Sequence, residues 1–169
     1  LASLTITFTA AANHPTEAQR LVVKVTDAAI EGTLSLPEMP FTDLAVSGTM
    51  VGVGAGLAPE HGVSLGNLQN ATVALTGVTA SGHKQALRIF TAKGSAITVT
   101  GCALDASEVN PAGANSKVAV YARALEDSAL SVTHSTLTAD HTDGHSAMAL
   151  HSLGATRATI AASDNVVAV

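Results

Sequence analysis

Ile97-Thr98-Val99-Thr100-Gly101-Cys102-Ala103-Leu104 is the stretch on which the reading of this chain turns. Apolar side chains at its first and third positions share one face of an extended strand, because successive strand residues point to opposite sides. The next apolar pair is Cys102 and Leu104, so the alternation slips by one residue between Val99 and Cys102. One corner residue produces such a slip, and Gly101 can take the left-handed backbone conformation that a corner often needs. The phrase therefore predicts a strand, a one-residue corner and a second strand.

The phrase recurs. Val73-Ala-Leu75-Thr76-Gly77-Val78-Thr-Ala80 and Leu130-Ser-Val132-Thr133-His134-Ser135-Thr-Leu137 match it, as do Leu44-Ala-Val46-Ser47-Gly48-Thr49-Met-Val51 and Val23-Lys-Val25-Thr26-Asp27-Ala28-Ala-Ile30. Weaker copies start at Ile6 and Ala158, where Ala10 and Ala162 would have to form the corner. Starts lie about 17 to 33 residues apart, as expected of one supersecondary unit joined by loops of different length. Thr or Ser precedes the corner in six of the seven copies. Stacked in register, these hydroxyls predict a ladder that satisfies backbone groups of the turn.

Another strand pattern lies about ten residues before the phrase, with inward pairs Leu87 and Ile89, Val118 and Val120, and Met148 and Leu150. Leu34 with Leu36 and Val63 with Leu65 are the earlier equivalents. Each repeat thus holds three short strands, and the chain would form about five to seven coils.

Composition agrees. The 169 residues are 47% hydrophobic but only 2% aromatic, with no Trp, and 12% charged. Small and β-branched residues favour close-packed short strands over helices. The fold class expected is all-β, a single β-helix segment over residues 1–169 belonging to a longer chain. A β-sandwich is the alternative, since it also supplies short alternating strands. It would not account for the fixed slip, the corner glycines and the Thr before them.

These repeats resemble the right-handed parallel β-helix of the pectin-lyase-like superfamily, whose members include polysaccharide-degrading enzymes, phage tailspikes and surface passengers. The resemblance spans nearly the whole chain but concerns architecture, and folds of this kind host many functions. It implies an extracellular or cell-surface location and, closest in character, a surface or adhesin passenger. Enzymes of the superfamily act on the outer face of the first strand. Glycoside hydrolysis there needs two facing carboxylates, and lyase chemistry needs a basic residue with carboxylates that hold Ca²⁺.

The outward residues expected on that face are Ser64, Arg88, Ala119 and Ala149 in one row, and Gly66, Phe90, Tyr121 and His151 in the next. Neither row has an Asp or Glu, so no catalytic residue and no cofactor is expected. The sequence points instead to a non-enzymatic structural or adhesive module that displays loops from one edge. The alternative is a carbohydrate-binding or polysaccharide-degrading β-helix, for which Arg88, Phe90, Tyr121 and His151 are the candidate binding residues.

Polar residues gather after the third strands, in segments 81–85, 105–117 and 138–146. His141, Asp143 and His145 are the candidate metal ligands, although their spacing matches no closed zinc signature. Asn70-Ala71-Thr72 is a glycosylation sequon that matters only in a secreted eukaryotic protein. Cys102, the single cysteine, falls on an inward position and reads as a buried thiol. A net charge of −5 without a basic patch excludes nucleic acid as partner, and no apolar run is long enough for membrane insertion. Glycans, cell-surface proteins and end-to-end self-association through bare strand edges are the partners expected.

Overall fold

The computed structural model describes residues 4–5, 17–52, 59–82, 84–107, 117–140 and 146–169. Within them the strands gather into three parallel sheets, each strand paired with its counterparts in the preceding and following repeats. The first sheet stacks β1 (Leu4–Thr5), β4 (Leu34–Pro40), β7 (His61–Gln69), β10 (Gln85–Lys93), β13 (Lys117–Glu126) and β16 (Ala147–Ser152), with β17 (Ala155–Thr156) also on β13. The second contains β2 (Leu21–Thr26), β5 (Thr42–Ser47), β8 (Thr72–Thr76), β11 (Ala96–Thr100), β14 (Ala129–Thr133) and β18 (Thr159–Ser163). The third contains β3 (Ala29–Ile30), β6 (Met50–Val51), β9 (Thr79–Ser81), β12 (Ala103–Asp105), β15 (Thr136–Thr138) and β19 (Val166–Ala168). The arrangement is all-β and consistent with a parallel β-helix. Among the described residues, no helix is long and apolar enough to cross a membrane.

The slip in the repeated phrase is real. Asp27, Gly48, Gly77, Gly101 and His134 all have positive φ, and each stands between a second-sheet and a third-sheet strand. Their amides continue the ladder across the corner, as Gly77 N–H donates to the Thr100 carbonyl at 3.0 Å and Gly101 N–H to that of Thr133 at 3.1 Å. The last copy needs correction. Ile160 pairs with Leu130 and Ala162 with Val132, so the phrase begins at Ile160 rather than Ala158. Its corner is then Asp164, with φ of 56°, a residue far better suited to that conformation than Ala162. The first copy, starting at Ile6, lies outside the described residues; Leu4–Thr5 just before it pairs with Leu34–Ser35 in the first sheet.

Five repeats have a second one-residue corner that alternation does not reveal. Phe41, Asn70, Gly94, Asp127 and Arg157 have positive φ and join the first sheet to the second. Each lies seven positions before the corresponding later corner, Phe41 before Gly48 and Gly94 before Gly101, for example. Segments of different length, 52–60, 82–84, 106–116 and 139–146, separate third-sheet strands from the next first-sheet strand, and residues 53–58, 83, 108–116 and 141–145 among them lie outside the described residues.

Aliphatic side chains from all three sheets fill the interior. Leu87 and Ile89 from the first sheet, Ile97 and Val99 from the second and Leu104 from the third are all buried. Their equivalents one repeat earlier are Val63, Leu65, Val73, Leu75 and Ala80. Like residues therefore stack on like positions, and burial of these apolar surfaces drives the stacking.

The hydroxyls that satisfy the turns, at Thr42, Thr49, Ser95, Ser128 and Ser135, sit one residue after a corner, not one before it. Ser95 Oγ donates to the Lys93 carbonyl at 3.0 Å and accepts from Ala71 N–H at 3.1 Å. Ser128 repeats this, donating to the Glu126 carbonyl at 2.8 Å and accepting from Ser95 N–H at 3.1 Å. Ser135 does the same at the later corner, for the Thr133 carbonyl and Cys102 N–H. The Thr and Ser before the corners do align in register, but they stand on the outer surface, where Thr100 and Thr133 share a hydrogen bond of 3.2 Å.

Cys102 occupies one of the inner hydroxyl positions. Its Sγ lies 3.4 Å from the Leu75 carbonyl, and burial pushes the thiol up although the Val78 amide faces it. A serine there would inherit the same partners. Cys102→Ser is expected to change stability by less than about 1 kcal/mol, whereas Cys102→Val, which strands the Val78 amide, should cost about 1–3 kcal/mol. Urea denaturation of the two variants checks this; equal losses would remove the hydroxyl-column account.

Candidate functional site

The outer face of the first sheet is shaped by a bend inside each strand. Inward residues run Leu34, Leu36, Met39 in β4, Val63, Leu65, Leu68 in β7 and Leu87, Ile89, Ala92 in β10. Two consecutive residues between the second and third of these point outward, for example Gly66-Asn67 and Phe90-Thr91. The bend leaves a shallow groove of about 610 Å³ beside the first corners, lined among others by Asn67, Thr91, Lys93, Ala124 and Glu126. Across it Thr91 Oγ1 donates to Asn67 Oδ1 at 2.8 Å, and Lys93 and Glu126 approach to 3.4 Å.

Register along this face differs from the expectation by two residues at β13. Arg88 pairs with Ser64 on one side and Tyr121 on the other, and Tyr121 pairs with His151. The row is therefore Ser64, Arg88, Tyr121, His151. Ala119, expected in it, is fully buried instead. Phe90 does not stack with Tyr121; it belongs to the next row, beside Arg123. Val118, Val120 and Ala122 all alternate inward, so alternation cannot choose between registers two residues apart. Distance to the first corner decides it, because Leu87 precedes Gly94 by seven residues and Val120 precedes Asp127 by seven.

The side chains of these rows touch. Arg123 places its guanidinium carbon 4.4 Å from the Phe90 ring centre and Arg88 places its own at 5.1 Å, so one ring meets two cations. Tyr121 and His151 meet edge to face, with ring centres 5.8 Å apart.

Beside them is a smaller pocket of about 160 Å³, lined by Glu60, His61, Lys84, Gln85, Arg88 and Tyr121. Arg88 Nη1 is 3.0 Å from His61 Nε2, and Lys84 Nζ donates to Glu60 Oε1 at 2.9 Å. Gln85 is only 7% exposed, and its Oε1 is buried with no hydrogen-bond partner among the described residues. His61, Gln85 and Arg123 carry no motif. The available signal was positional, since counting back from the corners puts them on or next to the Arg88 row.

Elsewhere the surface charges pair across repeats. Arg20 grips Asp43 through two nitrogens, at 2.6 Å for Nη2, and Arg157 holds Asp127 in the same way, also at 2.6 Å. Both carboxyls lie below the usual carboxylate range because they accept these guanidinium hydrogen bonds. Asn70 is exposed at a first corner, with Thr72 Oγ1 accepting from Arg20 at 3.3 Å. His141, Asp143 and His145 lie outside the described residues, and among those described no group of three or more His, Cys, Asp or Glu is placed to hold a metal.

The sequence matches no family model, no curated protein and no solved structure.

Proposed function

We propose that this chain is a segment of right-handed parallel β-helix, of the pectin-lyase-like kind, that works outside the cell as a rigid, non-enzymatic surface module. It forms six coils and offers partners two surfaces, the edge of variable loops and the outer face of the first sheet. The observation that carries the reading is continuous register: second-sheet strands pair without a break from β2 to β18, which makes a stiff support for exposed side chains. Charge on the first-sheet face also supports it. Glu38 and Glu126 are its outward carboxylates among the described residues, and β7 and β10 separate them. Three strand spacings of roughly 4.8 Å put them about 14 Å apart, beyond the roughly 5–9.5 Å at which carboxylate pairs cleave glycosidic bonds.

Incubation with a panel of neutral and acidic polysaccharides should release no new reducing ends or unsaturated products. Product release by the wild type that disappears in Arg88→Ala would overturn the non-enzymatic reading.

The second reading is carbohydrate binding on the same face, and the pocket at Arg88 favours it. A half-exposed guanidinium, an aromatic pair and a buried amide converge there, which is the polar and aromatic mixture of a small-molecule site. If the source is a eukaryotic secreted protein, Asn70 is exposed to receive a glycan.

A further inference from the structure

We infer that the first-sheet face around Arg88, Phe90 and Arg123 is an interface for an extended polypeptide segment with acidic side chains at alternate positions. This rests on the surface-module reading and names the partner class.

Charge is the first reason. The whole chain carries −5, yet the outward cations of β10 and β13 are Arg88, Lys93 and Arg123 against one carboxylate, Glu126. That carboxylate is occupied, by Lys93 at 3.4 Å and Arg157 at 3.5 Å, and Glu60 at the margin of the face is held by Lys84 at 2.9 Å. Among the described residues Arg88 contacts His61 and Phe90, Arg123 contacts Phe90, and neither forms an ion pair. Two guanidiniums left over on an acidic protein attract an anionic partner and steer its approach.

Spacing is the second. The guanidinium carbons of Arg88 and Arg123 lie 5.1 and 4.4 Å from the centre of one ring, so they are no more than about 9.5 Å apart. Residues i and i+2 of an extended chain point to the same side and stand roughly 6.8 Å apart. An Asp or Glu at each of those positions reaches one guanidinium, whose planar fork takes a carboxylate through paired hydrogen bonds. The Phe90 ring keeps the two forks together.

The surroundings of the two arginines are the third reason, and they favour a polypeptide over a saccharide. A sugar stacks on an open aromatic face, but Phe90 is engaged by two guanidiniums and Tyr121 meets His151 edge to face. Leu153, 61% exposed, follows Arg123 along the row, one position beyond the Ala122–Ser152 pair. An apolar side chain of a polypeptide covers such a leucine, whereas a polyanionic sugar leaves it in water. Arginine and aromatic residues are also the side chains that protein interfaces concentrate.

The test is fluorescence anisotropy of the protein with a labelled peptide that alternates Glu with Thr, the same peptide with Gln for Glu, and a uronate oligosaccharide of equal charge. The Glu peptide is expected to bind, and to bind more weakly as salt is added. The Gln peptide, and the Glu peptide on Arg88→Ala or Arg123→Ala, should each bind at least about tenfold more weakly. Phe90→Leu keeps the bulk but loses the ring shared by both guanidiniums, and should weaken binding severalfold. Lys24→Ala on the second sheet should leave affinity unchanged. Equal binding of the Glu and Gln peptides, binding of neither, tighter binding of the saccharide than of the Glu peptide, or unchanged affinity in Arg123→Ala would each overturn the inference. The surface-module reading survives those results and fails instead if the saccharide is cleaved in the same mixture. Circular dichroism and melting of each variant establish that it is folded, and Arg123→Gln replaces the alanine variant if that one is not.

Discussion

Truncating Ile97 to alanine is expected to cost about 2–5 kcal/mol of unfolding free energy, while the same change at Ile160 should cost less than about half as much. Ile97 is 1% exposed and sits in the second sheet with Val73 on one side and Leu130 on the other. Removing its outer carbons opens a cavity whose walls are stacked strands held by ladders in both directions, so they cannot close over it. Ile160 occupies the same inward position in β18, but among the described strands only β14 pairs with it, and it is partly exposed. In a stacked fold, stability is approximately the sum of each repeat's own term and its interfaces with neighbours, so a residue with two interfaces matters more than one with a single interface. Urea denaturation followed by circular dichroism measures both variants. Equal losses at the two positions would mean that the repeats do not stack as independent interfaces.

The corners show how much of this fold can be read from residue types. Gly48, Gly77 and Gly101 announce themselves, because a glycine between two alternating runs marks a backbone turn that most side chains would strain. Asp27 and His134 are legible only by alignment to those glycines. Phe41 and Arg157 are not legible from type at all, since neither residue favours positive φ; hydrogen bonding in the stack holds such corners in place. Phe41 N–H donates to the Gln69 carbonyl at 2.7 Å, and Asp127 N–H, at the equivalent corner of a later repeat, to that of Thr156 at 3.0 Å. That hidden first corner is also why alternation alone misplaces Tyr121 by two residues in the first-sheet register.

The site was legible in one residue and not in its surroundings. Arg88 stands out by charge among Ser and Ala, whereas His61 and Gln85 acquire meaning only when Gln85 is seen paired with His61 across two strands. Residues 24 positions apart in the chain meet there only because the repeats stack. Lys117 illustrates the reverse case. It reads as an exposed loop residue beside Asn115, yet it is 6% exposed, and its Nζ donates to the Ser107 carbonyl at 2.9 Å. The long alkyl stem is packed away and the ammonium spends itself on backbone rather than on a ligand.

Gly66→Ala is expected to lower stability by about 3 kcal/mol, at the upper end for overpacking, and to disturb the binding face as well. Gly66 lies at the outward bend of β7, where Pro37 of β4 crosses it. A Cβ there would run into the Pro37 carbonyl group and its Cα. These are backbone atoms, and Pro37 cannot swing aside while Leu36 stays paired with Leu65 and Glu38 with Asn67. The cause is contact, not conformation, because Gly66 does not have a positive φ. Gly101 provides the opposite case: its φ is +62°, but an added Cβ would meet nothing within 4 Å. Gly101→Ala should therefore cost only the left-handed strain of about 1–2 kcal/mol. Comparing the two by thermal and urea denaturation separates collision from strain. If Gly101→Ala proves the more damaging, close approach of β4 to β7 is not what the glycine serves. A second consequence distinguishes this substitution from a general loss of stability. Moving β7 outward at Gly66 displaces the strand that carries His61 and Ser64, and hence the partner of Arg88. At a temperature where both variants remain folded, Gly66→Ala should weaken any carbohydrate binding on the first-sheet face, and Gly101→Ala, far from that face, should not.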